Sequence, residues 1–304
     1  MNHAAPLLTD EELARLRLQT LTHWQHGRRR ATLTTPGPFP VPLRGQGLDL
    51  HDRRPYQPGD DVRHLDWRAT ARSSRPYTKI FLEERGRSLF LLIDRRPGMR
   101  FGSRTPKAAS AARIAAILAF TALQAGERVG GLVLEDAPRI FPPAGTLTAV
   151  MRLLRCAAAP FGEETPPPSL RALWHDIARR CGPGTELCLI CDGSDPDEFP
   201  PAVLRAIVAR HTVHAFQIRD PGELTLPALG WLQLRAPGGD TTALVDTHEA
   251  TLRQRYREAV AACQARFQNH LAEAGVSLRI VYNHRDAFEQ LTASCHAGTV
   301  TPAP

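Results

Sequence analysis

An uninterrupted apolar run near the middle of the chain constrains the fold most strongly. Five consecutive apolar residues, Leu89 to Ile93, follow Ser88 and end at Asp94. The run lacks the polar–apolar alternation of a strand with one wet face, so both of its faces should be covered. A turn and an alanine-rich helix at about 106–125 follow it. This order predicts the central strand of a parallel sheet, whose carboxyl end is where open α/β sheets bind ligands.

Further apolar runs and helical patterns alternate along the rest of the chain. Strands are predicted at 128–134, 138–141, 186–192, 211–218 and 276–282. Helices are predicted at 147–157, 169–180 and 246–274. The second of these strands should be a short edge strand that ends at Pro142, because proline cannot donate a ladder hydrogen bond. The alternation predicts a doubly wound, mostly parallel α/β sheet.

The first third of the chain predicts two smaller parts ahead of this sheet. Thr9 and Glu12 have the spacing of a capping box, which should open an amphipathic helix through about Gln25. A proline-rich stretch follows and predicts an extended linker. We therefore predict an N-terminal helix and linker at 1–43, a small β-rich module at 44–87 and an α/β domain at 88–304.

Charge and composition disfavour a nucleic-acid-binding surface. The net charge is +7, and Lys79 and Lys107 are the only lysines among 38 basic residues, so 36 are arginines. These arginines are interleaved with acids, and the aromatic residues (6%) do not cluster with them as a stacking platform requires. We interpret the charge as a general preference for arginine and expect no nucleic-acid partner, although a basic nucleic-acid-binding protein stays an alternative.

Targeting signals and cysteine spacing predict a cytoplasmic protein. The N-terminus lacks a basic region followed by an apolar core, and the most apolar helix, at 108–123, is shorter than a bilayer span. We expect no stable membrane insertion. Cys188 and Cys191 form a CxxC, but residues three apart on a strand point to opposite faces. No second CxxC completes a zinc site, so the cysteines are interpreted as reduced core residues.

Charges of alternating sign mark the segment at 44–87. Asp60, Asp61 and Asp66 alternate with arginines that can bind carboxylates with two parallel hydrogen bonds. Tyr56 and Trp67 can cover such pairs. The pattern predicts a buried Arg–Asp network in a β-rich module. A hydrolase that uses one of the three aspartates as a general base is the alternative, but no nucleophile or histidine stands at a recognisable spacing.

This segment resembles the signature of the family called domain of unknown function 58. The matching residues are Arg54, Tyr56, Gly59, Asp60, Asp61, Arg63, Asp66, Trp67 and Arg72. The resemblance extends from about residue 44 to the C-terminus and includes the segment at 220–227. It implies a von Willebrand factor A-like fold and a non-enzymatic adaptor that contacts other proteins. It further implies work with a MoxR-type AAA+ ATPase in the assembly or maturation of client proteins.

The same resemblance points to the end of the central strand as a degenerate metal-ion-dependent adhesion site. In A domains that bind a metal, an Asp-x-Ser-x-Ser loop, a loop threonine and a second strand-end aspartate surround the ion. Here Asp94 and Asp192 match the aspartates and Thr165 matches the loop hydroxyl, whereas Arg96 and Gly98 stand at the serine positions. Arginine never ligates a cation and its charge repels one, so we expect no metal and no cofactor.

Two hypotheses for the arginines of this loop stay open at the level of sequence. Arg95 or Arg96 could bind an acidic residue of a partner protein with two hydrogen bonds, a task that the metal ion has in the A domains that bind one. Alternatively, both arginines pair internally with Asp94 and Asp192, which leaves nothing to offer a partner. No residue of the chain is predicted to be catalytic.

Overall fold

A six-stranded sheet is the centre of the larger of two units, which comprises residues 1–38 and 87–304. The structure, a computed structural model, describes residues 5–30, 50–55, 70, 76–81, 88–162, 168–182, 185–235 and 242–293. The strands are β1 (Leu50–Pro55), β2 (Tyr77–Phe81), β3 (Ser88–Asp94), β4 (Arg128–Leu134), β5 (Pro138–Ala144), β6 (Glu186–Cys191), β7 (Thr212–Arg219), β8 (Trp231–Arg235), β9 (Thr242–Asp246) and β10 (Ser277–Tyr282). The α-helices are α1 (Asp10–Arg30), α2 (Lys107–Gln124), α3 (Leu147–Ala158), α4 (Leu170–Arg180), α5 (Pro201–Val208), α6 (Ala250–Ala274) and α7 (Ala287–Ala293). Short 3₁₀ turns lie at Pro97–Arg100, Pro196–Glu198 and Pro221–Glu223.

The strand order confirms the predicted doubly wound, mostly parallel sheet. It runs β10-β7-β6-β3-β4-β5, so β3 and β6 lie at the centre. All neighbours are parallel except β5, which pairs antiparallel with β4 at one edge. Leu91 of β3 lies opposite Gly131 of β4 on one side and Cys188 of β6 on the other. Strand β3 therefore has a hydrogen-bonded neighbour on each side, as its unbroken apolar run predicts.

Helices cover both faces of the sheet. Phe90 of β3 belongs to a core cluster that also holds Trp174 of α4, Leu204 of α5 and Phe267 of α6. Helices α2 and α3 pack on the opposite face, where Leu153 of α3 approaches β4. The alanine-rich surface of α2 is almost entirely buried, because small side chains let the helix lie close against the sheet. These layers leave the loops at the carboxyl ends of the strands as the place for a site.

Helix α1 begins at the predicted capping box. The backbone N–H of Glu12 donates to the hydroxyl of Thr9 at 3.2 Å, and the backbone N–H of Thr9 donates to the Glu12 carboxylate at 3.0 Å. The helix continues to Arg30, beyond the predicted end near Gln25. It packs against α2, and Arg113 of α2 forms an ion pair with Glu12 at 3.3 Å. The helix predicted as a separate segment therefore packs within the larger unit.

Two further boundaries and one hairpin differ from the predictions. Strand β5 continues through Pro142 to Ala144, because an edge strand has no further neighbour that needs its N–H groups. A β8–β9 hairpin precedes α6 and was not predicted. Residue Asp246, predicted to open that helix, instead ends β9, and α6 begins at Ala250.

None of the helices in the described ranges is both long and apolar enough to cross a bilayer.

The smaller unit comprises residues 39–86. Its strands β1 and β2 pair antiparallel, with Arg54 opposite Thr78 and an irregularity near Asp52. This pairing agrees with the predicted β-rich module. The other signature residues lie outside the described residues: Tyr56, Gly59, Asp60, Asp61, Arg63, Asp66, Trp67 and Arg72. The predicted Arg–Asp network and the general-base alternative therefore stay predictions.

Gly131 of β4 tests the close packing of strands β3 and β4. A Cβ atom at this position would lie 2.5 Å from the backbone carbonyl oxygen of Leu91, which the sheet holds in place. We expect Gly131→Ala to lower the free energy of unfolding by about 1–3 kcal/mol, as for other overpacked cores. Urea denaturation measures the change. Gly145→Ala is the matched control, because no atom lies within 4 Å of its added Cβ, and an equal loss in both variants would contradict the prediction.

Candidate functional site

The carboxyl edge of the sheet brings four acidic residues together around a topological switch point. The chain passes from β3 to β4 on one side, and β6 lies on the other side of β3, so the order reverses between β3 and β6. Asp94 ends β3 and Asp192 follows β6, whereas Glu135 follows β4 and Asp220 follows β7. Open α/β sheets bind ligands at such a point. The predicted aspartates therefore lie where the fold places a site.

Arg96 binds Asp94 directly. Its Nε and Nη2 atoms donate to the two carboxylate oxygens at 3.0 and 2.8 Å, and its backbone N–H donates to Oδ1 at 2.9 Å. The carboxylate is almost fully buried, and the arginine side chain is 14% exposed. A second acid, Glu198, lies 3.7 Å from Nη1. The internal-pairing hypothesis therefore agrees with the structure for Arg96 and Asp94, but Asp192 pairs with Lys107 and not with an arginine.

Burial and charge oppose each other in this pair. Burial raises the pKa of Asp94, and the adjacent Arg96 only partly offsets the rise. Burial by itself would lower the pKa of Arg96, but the Asp94 carboxylate raises that pKa above its ordinary value. The Asp94 carboxylate therefore favours the charged form of Arg96.

Lys107 neutralises the second strand-end aspartate. Its Nζ atom donates to Oδ2 of Asp192 at 2.9 Å and also to the carboxylate of Glu223. The other oxygen of Asp192 accepts the backbone N–H of Ser194 at 3.0 Å. Burial would raise the pKa of Asp192, but the lysine and this N–H lower it below its ordinary value. Burial raises the pKa of Glu223, which the lysine only partly offsets.

Arg95 points away from the pocket and is fully buried. Its Nη1 atom donates to the carbonyl oxygens of Cys156 and Ala157 at the end of α3, at 2.8 and 2.7 Å. Its Nη2 atom donates to the carbonyl oxygen of Ala159 at 2.8 Å and forms an ion pair with Glu135 at 3.3 Å. These bonds satisfy carbonyls that a helix end leaves without partners. This corrects the hypothesis that Arg95 holds an acidic partner residue.

A small pocket of about 150 Å³ lies between the ends of β3 and β6. Its lining includes Asp94, Arg96, Gly98, Asp192, Ser194 and Glu198. The backbone at Gly98 approaches Asp192 so closely that an added Cβ atom would lie 2.6 Å from Oδ2. A side chain at this position would therefore displace the Asp192 carboxylate, which Lys107 and the Ser194 backbone N–H hold in place.

The residues at this edge do not fit a divalent cation. Asp94 is paired with Arg96 and Asp192 with Lys107, and position 98 carries no side-chain oxygen. Across the ranges that the structure describes, no group of three or more histidine, cysteine or acidic residues is arranged to hold a metal ion. The Thr165 hydroxyl lies outside the described residues, so its predicted place in the site stays a prediction.

Sequence reasoning found part of this site and missed its other half. The structure brings together four of the predicted residues: Asp94, Arg96, Gly98 and Asp192. Missed were Lys107, Glu135, Glu198 and Glu223. Lys107 had a signal, since it is one of two lysines in an arginine-rich chain, and Glu135 directly follows an apolar strand. Glu223 lies in the family-like segment at 220–227, whereas Glu198 carried no signal.

Comparison with known proteins gives the family. Residues 52–266 match the family described as Protein of unknown function DUF58. The chain belongs to this family. Among the relatives of this DUF58 protein is the uncharacterized protein Rv1480 of Mycobacterium tuberculosis, 29% identical over 80% of this chain and 77% of the relative. The uncharacterized protein YeaD of Bacillus subtilis is 52% identical over 42 residues, 14% of this chain and 11% of YeaD.

Several solved structures are similar to this DUF58 protein. The conserved hypothetical protein BatB from Bacteroides thetaiotaomicron is 13% identical, with a TM-score of 0.44 over 69% of this chain and 96% of BatB. The vWF domain of the pilus tip protein Mfa5 from Porphyromonas gingivalis is 10% identical, with a TM-score of 0.35 over 71% of this chain and 98% of that domain.

The burial of Asp94 predicts that Arg96 is needed for stability. Arg96→Glu leaves Asp94 buried without its partner and adds a like charge beside it. We expect the free energy of unfolding to fall by about 3–5 kcal/mol, as when one member of a buried pair is removed. Urea denaturation measures the loss. Arg155→Glu is the control, since its pair with Asp10 is exposed and should matter little. An unchanged Arg96→Glu variant would show that the pair is not structural.

The lowered pKa of Asp192 predicts a pH dependence. A carboxyl group with a lowered pKa in the folded state stabilises the fold above its ordinary value of 3.8, and this contribution is lost as pH falls through the folded pKa. The difference in unfolding free energy between wild type and Asp192→Asn should be constant from about pH 7 to about pH 5 and shrink below 3.8. Urea denaturation across pH tests this. A difference that is already lost at about pH 5 would contradict it.

Proposed function

We propose that this DUF58 protein is a non-enzymatic, cytoplasmic adaptor that binds other proteins. In this proposal it works with a MoxR-type AAA+ ATPase in the assembly or maturation of client proteins. Membership of the DUF58 family supports the ATPase partnership, because the family resemblance implies it. The observation that carries the interaction role is an apolar surface on the β8–β9 hairpin.

The hairpin exposes large apolar side chains. Leu229, Trp231 and Leu244 are 67%, 67% and 66% exposed. In the antiparallel pairing, Trp231 lies opposite Asp246 and Gln233 lies opposite Leu244. Trp231 and Gln233 are two residues apart on β8 and point to the same face, so Trp231 and Leu244 share that face of the hairpin. Contiguous exposed apolar residues with polar neighbours are typical of protein-interaction sites, and tryptophan is enriched among residues that dominate binding energy.

The base of the hairpin is firmly held. Thr247 is fully buried, its hydroxyl donates to the carbonyl oxygen of Gly230 at 2.7 Å, and it accepts the backbone N–H of Leu229 at 2.9 Å. The start of α6 adds a hydrogen bond from Arg253 to the carbonyl oxygen of Thr247 at 2.6 Å. The apolar face is thus presented by an ordered base, which reduces the entropy lost on binding.

The charge arrangement at the carboxyl edge supports a contact surface elsewhere. Asp94 and Asp192 each bind an internal cation, and Arg95 is buried. A general base or nucleophile has to reach a substrate, whereas these carboxylates are almost fully buried and each is paired with a cation of the chain. The proposal therefore assigns partner binding to the hairpin and a structural task to the strand-end charges.

The partner contact is tested with a hairpin variant. Trp231→Ser combined with Leu244→Ser should weaken binding to the MoxR-type ATPase of the same organism by at least about ten-fold, because two anchor side chains are removed. The melting temperature should stay near that of wild type, since both side chains are largely exposed. Biolayer interferometry with immobilised ATPase, with and without ATP, measures the affinity.

Leu18→Ser is the matched control. Leu18 is 64% exposed on α1, so its replacement removes a similar apolar area from a different surface. Affinity should be unchanged in this control. Wild-type affinity of the hairpin variant would show that the hairpin is not the contact. Absence of binding by the wild-type protein would contradict the ATPase partnership itself.

A further inference from the structure

Lys107 occupies a position that is unfavourable for a positive charge. It is the first residue of α2, where the helix dipole presents its positive end and favours anions. Its side chain is only 2% exposed, so the ammonium has also lost most of its hydration. A buried cation at a helix N-terminus has to be offset by opposite charge nearby.

Two carboxylates from two different strand ends supply that charge. Asp192 follows β6, and Glu223 ends the 3₁₀ turn after β7. Backbone N–H groups hold each carboxylate in place: Ser194 donates to Asp192 at 3.0 Å, and Asp220 donates to Glu223 at 3.3 Å. Both acids therefore converge on the ammonium while each keeps its own backbone anchor. Convergent, anchored oxygens are what a hard cation requires.

The lysine at position 107 departs from the preference of this chain for arginine. The chain uses arginine at 36 of its 38 basic positions, yet an ammonium stands here. An ammonium is a compact point charge with three donors, whereas a guanidinium is a wide planar fork. The guanidinium of Arg96 donates two hydrogen bonds to a single carboxylate, that of Asp94. Between two carboxylates that converge on one point, a compact cation is the shape that fits.

We propose that the Lys107 ammonium is a built-in substitute for a bound cation at the switch point of the sheet. The carboxyl edge then keeps its geometry without any metal ion. Removal of the ammonium leaves Asp192 and Glu223 facing each other without a counter-charge, which converts the site into one that takes a divalent cation. This inference goes beyond the proposed function, because it concerns the carboxyl edge and not the hairpin.

The test is a gain of cation response in a lysine variant. Lys107→Ala should have a lower melting temperature than wild type, and calcium should restore part of the loss. A weak site of the kind formed by few carboxylates would raise the melting temperature by about 3 °C or more in about 10 mM CaCl₂. Wild type should move by less than about 1 °C under the same conditions. Differential scanning calorimetry with CaCl₂ and with MgCl₂ measures both.

Two further variants identify the atoms responsible. Lys107→Ala combined with Asp192→Asn should lose the calcium response, because one of the two carboxylates is gone. Lys107→Arg keeps the charge and should show no calcium response, while its melting temperature falls because the fork does not fit. If Lys107→Ala is unfolded in buffer, Lys107→Met retains the apolar stem and takes its place in the titration.

The outcomes separate this inference from the ATPase proposal. A calcium response confined to the lysine-free variants that retain Asp192 supports the built-in cation. Saturable calcium or magnesium binding by wild type that is lost in Asp192→Asn would overturn it, since the ammonium would not fill the site. No response in either Lys107→Ala or Lys107→Met would overturn it as well. None of these measurements involves the ATPase.

Discussion

Pairing of buried carboxylates with cations of the same chain is the constraint on which this structure depends. Asp94 binds Arg96 and Asp192 binds Lys107 at the two central strands. Loss of one partner of a buried pair costs about 3–5 kcal/mol, a large part of the roughly 5–15 kcal/mol that stabilises a typical protein. The first pair fixes the loop after β3, and Lys107 joins the start of α2 to the end of β6 through Asp192 and to the turn after β7 through Glu223.

The fold was largely predictable because its central strands have unbroken apolar runs and helices separate them. The β8–β9 hairpin was not, since its apolar residues are exposed and therefore carry no core pattern. The start of α6 was misplaced because Asp246 and Thr247 have the appearance of a helix cap. In the structure Thr247 instead binds Gly230 at the base of the hairpin, a contact between residues 17 positions apart that no local pattern encodes.

The site was half predictable for a related reason. Asp94 and Asp192 follow apolar strands, and that local position by itself indicates the carboxyl edge. Lys107 and Glu223 are 116 positions apart, so their pairing depends on the strand order and not on spacing. Sequence also left open whether Arg95 and Arg96 bind a partner protein or groups within the chain. In the structure the two adjacent arginines have different partners. Arg95 donates hydrogen bonds to carbonyl oxygens at the end of α3, and Arg96 donates to the carboxylate of Asp94.

The close approach of Gly98 to Asp192 has an evolutionary consequence. Any side chain at 98 meets the Asp192 carboxylate, a serine at 96 leaves Asp94 without its counter-charge, and loss of Lys107 does the same to Asp192. Each of these single substitutions therefore disturbs one of the two buried carboxylates. Positions 96, 98 and 107 are thus coupled through the same edge of the sheet, so the effect of a substitution at one of them depends on the residues at the other two.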